Sequence, residues 1–147
     1  MHKKVLVVGI GSPHGCDRLG WNAALSLKHC QSDMCDVRIA MTPADLLDWI
    51  EGYDMLHLCD ACHGHNTDGS ARNSMLHRWQ WPDGHIQEQQ WSGSHDMGLT
   101  NVLHLATELG TAPSTIILWG LEATSLDTSD QIVQEAVRRI SSELSSE

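Results

Sequence analysis

A continuous apolar stretch at residues 4–9, with the sequence KVLVVG, is the feature that most constrains how this chain of 147 residues can fold. The stretch is rich in β-branched valine, contains no polar side chain after Lys4 and ends in Gly9. A strand that is apolar on both faces needs cover on both faces, as in the parallel sheet of an α/β protein. Residues 4–9 therefore predict a buried parallel strand.

Segments with strand-like and helical patterns alternate along the rest of the chain. Further strands are predicted at residues 36–41, 53–59, 73–79 and 115–120, and helices at residues 19–29, after Thr42-Pro43, from an entrance at His95 to about Leu109, and at 128–144. This alternation favours a parallel sheet with helices on both faces and right-handed crossovers. We therefore predict a single domain over residues 1–147, a three-layer α/β/α sandwich around a mostly parallel, twisted sheet of about five strands.

The charge balance and the cysteine count restrict the partners and the compartment. The formal net charge is −10 and the nine lysines and arginines form no long basic stripe, which argues against nucleic-acid binding. The five cysteines are an odd number, ten histidines accompany them, and the sequence shows no signal peptide and no long apolar run. We therefore expect a cytoplasmic protein that neither spans nor anchors to a membrane.

Three polar residues follow predicted strands. Asp17 lies in the loop after the first strand, Asp60 ends the third, and His95 opens the helix that follows the fourth. Because the carboxyl ends of parallel strands meet at one edge of the sheet, we expect the three side chains to face one cleft. Two carboxylates and an imidazole suit a borderline divalent ion and leave positions open for Lewis-acid chemistry. Each residue alone is more often a cap or a turn residue, so the hypothesis depends on their convergence.

A glycine-rich first turn offers a different interpretation. Gly9, Gly11 and Gly15 suggest a dinucleotide-binding turn, but His14 occupies the place of the third glycine, and no acidic residue ends the second strand to hold a ribose. The glycines equally serve a tight turn. A small nucleotide- or flavin-binding domain is the alternative, and it predicts cofactor absorbance or thermal stabilisation by nucleotides.

Cys59 and Cys62 form a Cys-x-x-Cys sequence, which suits a redox pair or half of a zinc site. No matching second pair exists and polar, glycine-rich residues follow, so buried or loop thiols are the favoured interpretation. The roles of three neighbours stay open. Cys16 is a candidate nucleophile, and His63 and His65 are candidates for an auxiliary ligand or a general acid, with solvated loop residues as the alternative.

Three tryptophans, Trp79, Trp81 and Trp91, stand out in a chain without phenylalanine. They are expected to fill the core or anchor loops, with a peptide-binding groove as the alternative. His104 is expected on the flank of its helix.

Three separate segments carry signature-like blocks in a fixed order. The first comprises VVGIGSP at residues 7–13 and DRLG at 17–20, the second is Asp60-Ala61, and the third comprises SHDMGL at 94–99 with GLE at 120–122. Together they resemble the hydrogenase maturation proteases, the endopeptidases that trim the C-terminal extension from the large subunit of nickel-iron hydrogenases. With a one-residue gap that keeps Gly20 aligned, Asp17 takes the first ligand position. An ungapped alignment would place Arg18 there.

The resemblance implies both the substrate and the roles of the three polar residues. Asp17, Asp60 and His95 would act as catalytic and metal-recognising residues on the nickel already inserted in the large-subunit precursor, and other divalent ions would fit the site in vitro. An incomplete ligand set would distinguish a loaded precursor from an empty one. A non-enzymatic nickel-binding protein that checks assembly on the same fold is the alternative.

Overall fold

The computed structural model describes residues 3–12, 18–31, 33–63, 74–87, 90–91, 98–123 and 126–146. Along the chain the elements are β1 (Val5–Ile10), α1 (Leu19–Gln31), β2 (Asp36–Ala40), a 3₁₀ helix (Pro43–Asp48), β3 (Met55–His63), β4 (Ser74–Gln80), α2 (Gly84–Gln87), β5 (Gln90–Trp91), α3 (Leu99–Leu109), β6 (Thr115–Ala123) and α4 (Leu126–Ser145). No helix in these ranges is long and apolar enough to cross a membrane.

The sheet confirms the predicted fold class. Its strand order is β2-β1-β3-β6-β4, in which β2, β1, β3 and β6 are parallel and β4 runs antiparallel on β6. The two-residue β5 pairs antiparallel with the end of β3 and lies off this path. The fold is a three-layer α/β sandwich, with a mostly parallel sheet of five main strands.

Side chains of β1 alternate between two hydrophobic cores. Val5 and Val7 belong to the core that α1 and α4 cover, whereas Leu6, Val8 and Ile10 belong to the core under α3 and the 3₁₀ helix. All five side chains are buried. The continuous apolar run is therefore explained by helices on both faces of the sheet.

The first turn of α1 rests directly on the end of β1 and the middle of β3. A Cβ atom built on Gly20 would lie 2.5 Å from the carbonyl oxygen of Ile10 and would also clash with the carbonyl oxygen of Cys59. A Cβ on Gly9 would clash with the backbone of Gly20. Glycine at both positions therefore allows the helix and the strands to come into close contact. Any side chain at either position would require a shift of the backbone.

The carboxyl end of α3 agrees with the sequence prediction. The helix ends at Leu109, and Gly110 adopts the left-handed conformation with φ of 77°. The helix begins at Leu99, after Gly98 at the N-cap position, so its first turn starts four residues beyond His95. His95 itself lies outside the described residues.

Several local predictions were wrong. The helix after Thr42 is a 3₁₀ helix, and the Thr42 hydroxyl makes no capping hydrogen bond although the residue occupies the N-cap position. The α4 helix begins at Leu126, two residues earlier than predicted. The sequence pattern also gave no sign of α2 or β5, because segments of four and two residues are too short to show a period.

We expect the Gly20→Ala substitution to lower the free energy of unfolding by about 2–3 kcal/mol, the cost of overpacking a site whose neighbours are backbone atoms. Alanine favours a helix interior by about 1 kcal/mol over glycine, so a net loss identifies the clash. Urea unfolding measures the change. Gly84→Ala is the matched control, because no heavy atom lies within 4 Å of its would-be Cβ. Equal stability of the two variants would contradict the proposed contact.

Candidate functional site

Asp60 lies at the carboxyl-terminal part of β3, in the middle of the parallel sheet. In the strand register it sits between Ile10 of β1 and Gly120 of β6. Its side chain is 1% exposed and points to the α3 face, as do Leu56 and Leu58 at alternate positions of the strand. Aspartate is seldom fully buried, and ligands of open α/β sheets bind beyond the carboxyl ends of the strands. Asp60 therefore lies near the edge of the sheet at which open α/β folds commonly bind ligands.

Described residues of two other elements lie close to Asp60. Gly20 contacts the carbonyl oxygen of Cys59, the residue before Asp60. Trp91 pairs with Cys62, two residues after Asp60. Gly20 of α1 and Trp91 of β5 therefore both lie close to Asp60 along β3.

Several candidate residues lie outside the described part of the chain. They are Asp17, His95, Cys16 and His65. The backbone of His63 belongs to β3, but its side chain is also outside the described part. Of the three predicted ligands, the structure therefore places Asp60 alone, and the convergence of all three stays a prediction.

The two cysteines of the Cys-x-x-Cys sequence point to opposite faces of the sheet. Both lie in the uninterrupted strand β3, where residues three apart face opposite sides. Cys59 packs in the core under α1 and α4, and Cys62 contacts the α3 side beside Gly120. Burial raises the pKa of Cys59 to about 12 and raises that of Cys62 further, with a contribution from Glu122. Of the favoured interpretation, buried or loop thiols, the structure shows buried thiols, and their opposite orientations exclude a redox pair.

A polar cluster that the sequence analysis did not identify lies on the same face as Asp60. Cys62 of β3, His77 of β4 and Glu122 of β6 each offer one ligand atom, and these atoms lie within 4.8 Å of one another. His77 Nε2 and Glu122 Oε2 are 2.9 Å apart. The side chains of His77 and Glu122 are about one-fifth exposed, whereas Cys62 is buried.

The packing around this cluster holds its members in place. The ring of His77 stacks on Trp79 with ring centroids 4.9 Å apart, and Trp79 meets Trp91 edge to face at 6.0 Å. A Cβ on Gly120 would lie 2.7 Å from Cys62 Sγ and 3.1 Å from the Trp79 ring. The absence of a side chain at Gly120 therefore provides the space that Cys62 Sγ occupies.

The predicted structural role of the tryptophans is confirmed. Trp79, Trp81 and Trp91 are partly buried and pack against the core under α3. His104 is exposed on α3 and meets Trp81 edge to face at 4.8 Å. Trp81 and His104 also line a pocket with Ile116, near the amino-terminal end of β6 and thus at the opposite end of the sheet from Asp60.

His57 is a second fully buried polar residue of β3, and it faces the opposite core. Its Nδ1 accepts a 3.0 Å hydrogen bond from the indole Nε1–H of Trp119. The proton of the neutral ring is therefore on Nε2, which has no hydrogen-bond partner among the described residues. Desolvation by burial lowers the pKa of His57 to about 4. The ring is consequently neutral at pH 7 and belongs to the core.

The fold is that of the hydrogenase maturation endopeptidases. The hydrogenase maturating endopeptidase HybD from Escherichia coli superposes with a TM-score of 0.73 at 20% identity, over 97% of this chain and 93% of that one. The [NiFe] hydrogenase maturation protease HybD from Thermococcus kodakarensis gives 0.67 at 19% identity, over 96% and 98% of the two chains.

The hydrogenase 2 maturation peptidase from Thaumarchaeota archaeon SCGC_AB-539-E09 gives 0.67 at 21% identity, over 97% and 98% of the chains. No protein-family model and no curated sequence matches this chain. The resemblance seen in the sequence is thereby confirmed at the level of the fold.

We expect His57 to make the protein less stable in acid. The unfolded chain protonates this histidine below about pH 6.5, whereas the folded protein does so only near pH 4, so stability falls as the pH decreases through that window. Over about 2.5 pH units the free energy of unfolding decreases by roughly 3 kcal/mol. Urea unfolding at a series of pH values measures it.

His57→Asn is the matched variant, because the amide oxygen can still accept from Trp119 while the side chain no longer titrates. The carboxylates contribute equally to the pH dependence of stability in the parent and in the variant. The variant should therefore lose roughly 3 kcal/mol less than the parent between pH 7 and pH 4. Parallel stability profiles would contradict the assignment.

Proposed function

We propose that this chain is an endopeptidase that removes the C-terminal extension of a nickel-iron hydrogenase large subunit after nickel insertion. The fold is shared with hydrogenase maturation endopeptidases over nearly the whole chain. The observation that carries the proposal to this chain is the buried carboxylate of Asp60, which occupies the ligand-binding edge of that fold.

Asp17 and His95 are proposed to complete the nickel-recognising set with Asp60. Asp17 is three residues from Gly20, which contacts the strand end beside Asp60, so the intervening chain spans at most about 11 Å. His95 is four residues from Trp91, which pairs with Cys62. These two anchors support the convergence of the three side chains. The three residues from Gly20 and the four from Trp91 are too few to carry Asp17 or His95 far from this edge of the sheet.

The proposed ligand set suits recognition of a metal that the substrate carries. Two carboxylate oxygens and one imidazole nitrogen bind borderline divalent ions, and three ligands leave the coordination sphere incomplete. The precursor would complete it only when nickel is present, which gives a physical basis for discrimination. The ion in the substrate is thus both the signal for cleavage and a source of Lewis-acid activation for the scissile carbonyl.

An activated water is the proposed nucleophile. Cys59 and Cys62 are buried thiols whose pKa values are raised, mainly by desolvation, so neither provides the thiolate that nucleophilic attack requires. A carboxylate at the site can accept the proton from water as a general base. Asp60, which is buried in the carboxyl-terminal part of β3, is the described carboxylate that we assign to this role.

The purified chain should cut a nickel-loaded large-subunit precursor and leave the nickel-free precursor intact. Mass spectrometry of the products detects the loss of the C-terminal peptide. Asp60→Asn should reduce the cleavage rate by about 100-fold or more, because anchoring the Lewis acid is worth several kcal/mol in the transition state. Asp130→Asn makes the same chemical change at an exposed position of α4 and should cleave at the parental rate.

An uncut loaded precursor would overturn the protease proposal. A precursor that binds tightly in its loaded form without being cut would instead support the checkpoint protein on the same fold. Pull-down of loaded and empty precursor, performed with the same preparations, separates this result from simple failure to bind.

A further inference from the structure

We propose that Cys62, His77 and Glu122 form a binding site for a divalent transition-metal ion of the Zn²⁺ type. The site is separate from the Asp17, Asp60 and His95 set. It does not rest on the proposed peptidase activity, because Cys62, His77 and Glu122 take no part in the proposed cleavage.

The spacing of the three ligand atoms fits such an ion. Zinc bonds of about 2.0–2.3 Å place the ligand atoms of a tetrahedral site roughly 3.3–3.7 Å apart. Here His77 Nε2 and Glu122 Oε2 are 2.9 Å apart, and all three groups have ligand atoms within 4.8 Å of one another. The spacing expected between the ligand atoms of a tetrahedral zinc site falls between these two distances. Small side-chain rotations would therefore close the set around an ion.

The site is built on rigid elements. Its members come from the central strand β3, its neighbour β6 and the edge strand β4, so no ligand depends on a loop. The His77 ring is held by Trp79, and the absence of a side chain at Gly120 leaves space for Cys62 Sγ. Ligands fixed by packing lose little freedom when an ion binds, which favours affinity.

The donor atoms define the class of ion. Thiolate sulfur, imidazole nitrogen and carboxylate oxygen together favour a borderline metal over Mg²⁺ or Ca²⁺, which prefer oxygen ligands alone. On binding, the Cys62 thiol loses its proton to solvent and the sulfur lone pair bonds to the metal. His77 Nε2 or Nδ1 binds as the neutral ring. Three protein ligands leave a fourth position open for water or a substrate donor.

Asp60 and the proposed site face the same side of the sheet. Asp60 and Cys62 are alternate residues of β3, so their Cα atoms are about 7 Å apart along the strand. An ion at the new site would therefore lie close to Asp60, and it would link β4 to the central strands β3 and β6.

Titration of the full, untagged and chelator-treated chain with Co²⁺ tests the proposal. Cobalt bound to a thiolate produces a charge-transfer absorption in the near ultraviolet. The parent protein should show this band with the intensity of one thiolate-bound ion per chain, and Zn²⁺ should displace it. His77→Gln and Glu122→Gln should each weaken Co²⁺ binding by more than the 10- to 100-fold that losing an outer-shell partner costs.

Two cysteine variants in the same strand provide the matched comparison. Cys62→Ala should abolish the charge-transfer band, whereas Cys59→Ala, which alters the opposite face of β3, should retain it. Asp60→Asn should also retain it, which separates this site from the proposed nickel-recognising set. Far-ultraviolet circular dichroism confirms folding, and His77→Gln decides the matter if Cys62→Ala does not fold. A parent protein without the band, or a band of equal affinity in the Cys62 and His77 variants, would overturn the proposal.

Discussion

The close packing of α1 against the end of β1 and the middle of β3 is the contact that brings a helix next to Asp60. Gly9 and Gly20 bring the first turn of the helix against the carbonyl groups of Ile10 and Cys59. Any larger residue at either position would push the helix away from these strands. The contact therefore holds the first turn of α1 beside Asp60, and it gives Gly9 a packing role that requires no bound nucleotide.

The second organising feature is the distribution of polar side chains along β3. His57, Asp60 and Cys62 are all buried in this central strand, although burying polar groups is costly without compensating interactions. His57 receives its compensation from Trp119, across the sheet register on β6. Asp60 and Cys62 face the other side, where His77 and Glu122 approach from neighbouring strands. The carboxyl-terminal part of β3 is thus polar on the face that α3 covers.

Much of the architecture follows from patterns that are local in the sequence. The run at residues 4–9 has no polar face, so it could only be a central strand, and β1 occupies that place. The left-handed Gly110 after an apolar helical stripe likewise determined where α3 ends. By contrast, residues 73–79 predicted a strand without revealing that β4 runs antiparallel at the sheet edge. A strand's own residues do not encode the direction of its partner, so the antiparallel orientation of β4 could not be predicted from the sequence.

The sequence by itself determined the class of fold, indicated that Asp60 lies near the carboxyl end of a buried strand, and favoured buried or loop thiols for the Cys-x-x-Cys sequence. Each follows from the alternation of side chains and from the requirement to bury apolar surface. Only the tertiary structure decided that Cys62 meets His77 and Glu122. These residues are far apart in the chain, and strand order and register bring them together. Register is a property of paired strands, and no single segment carries it.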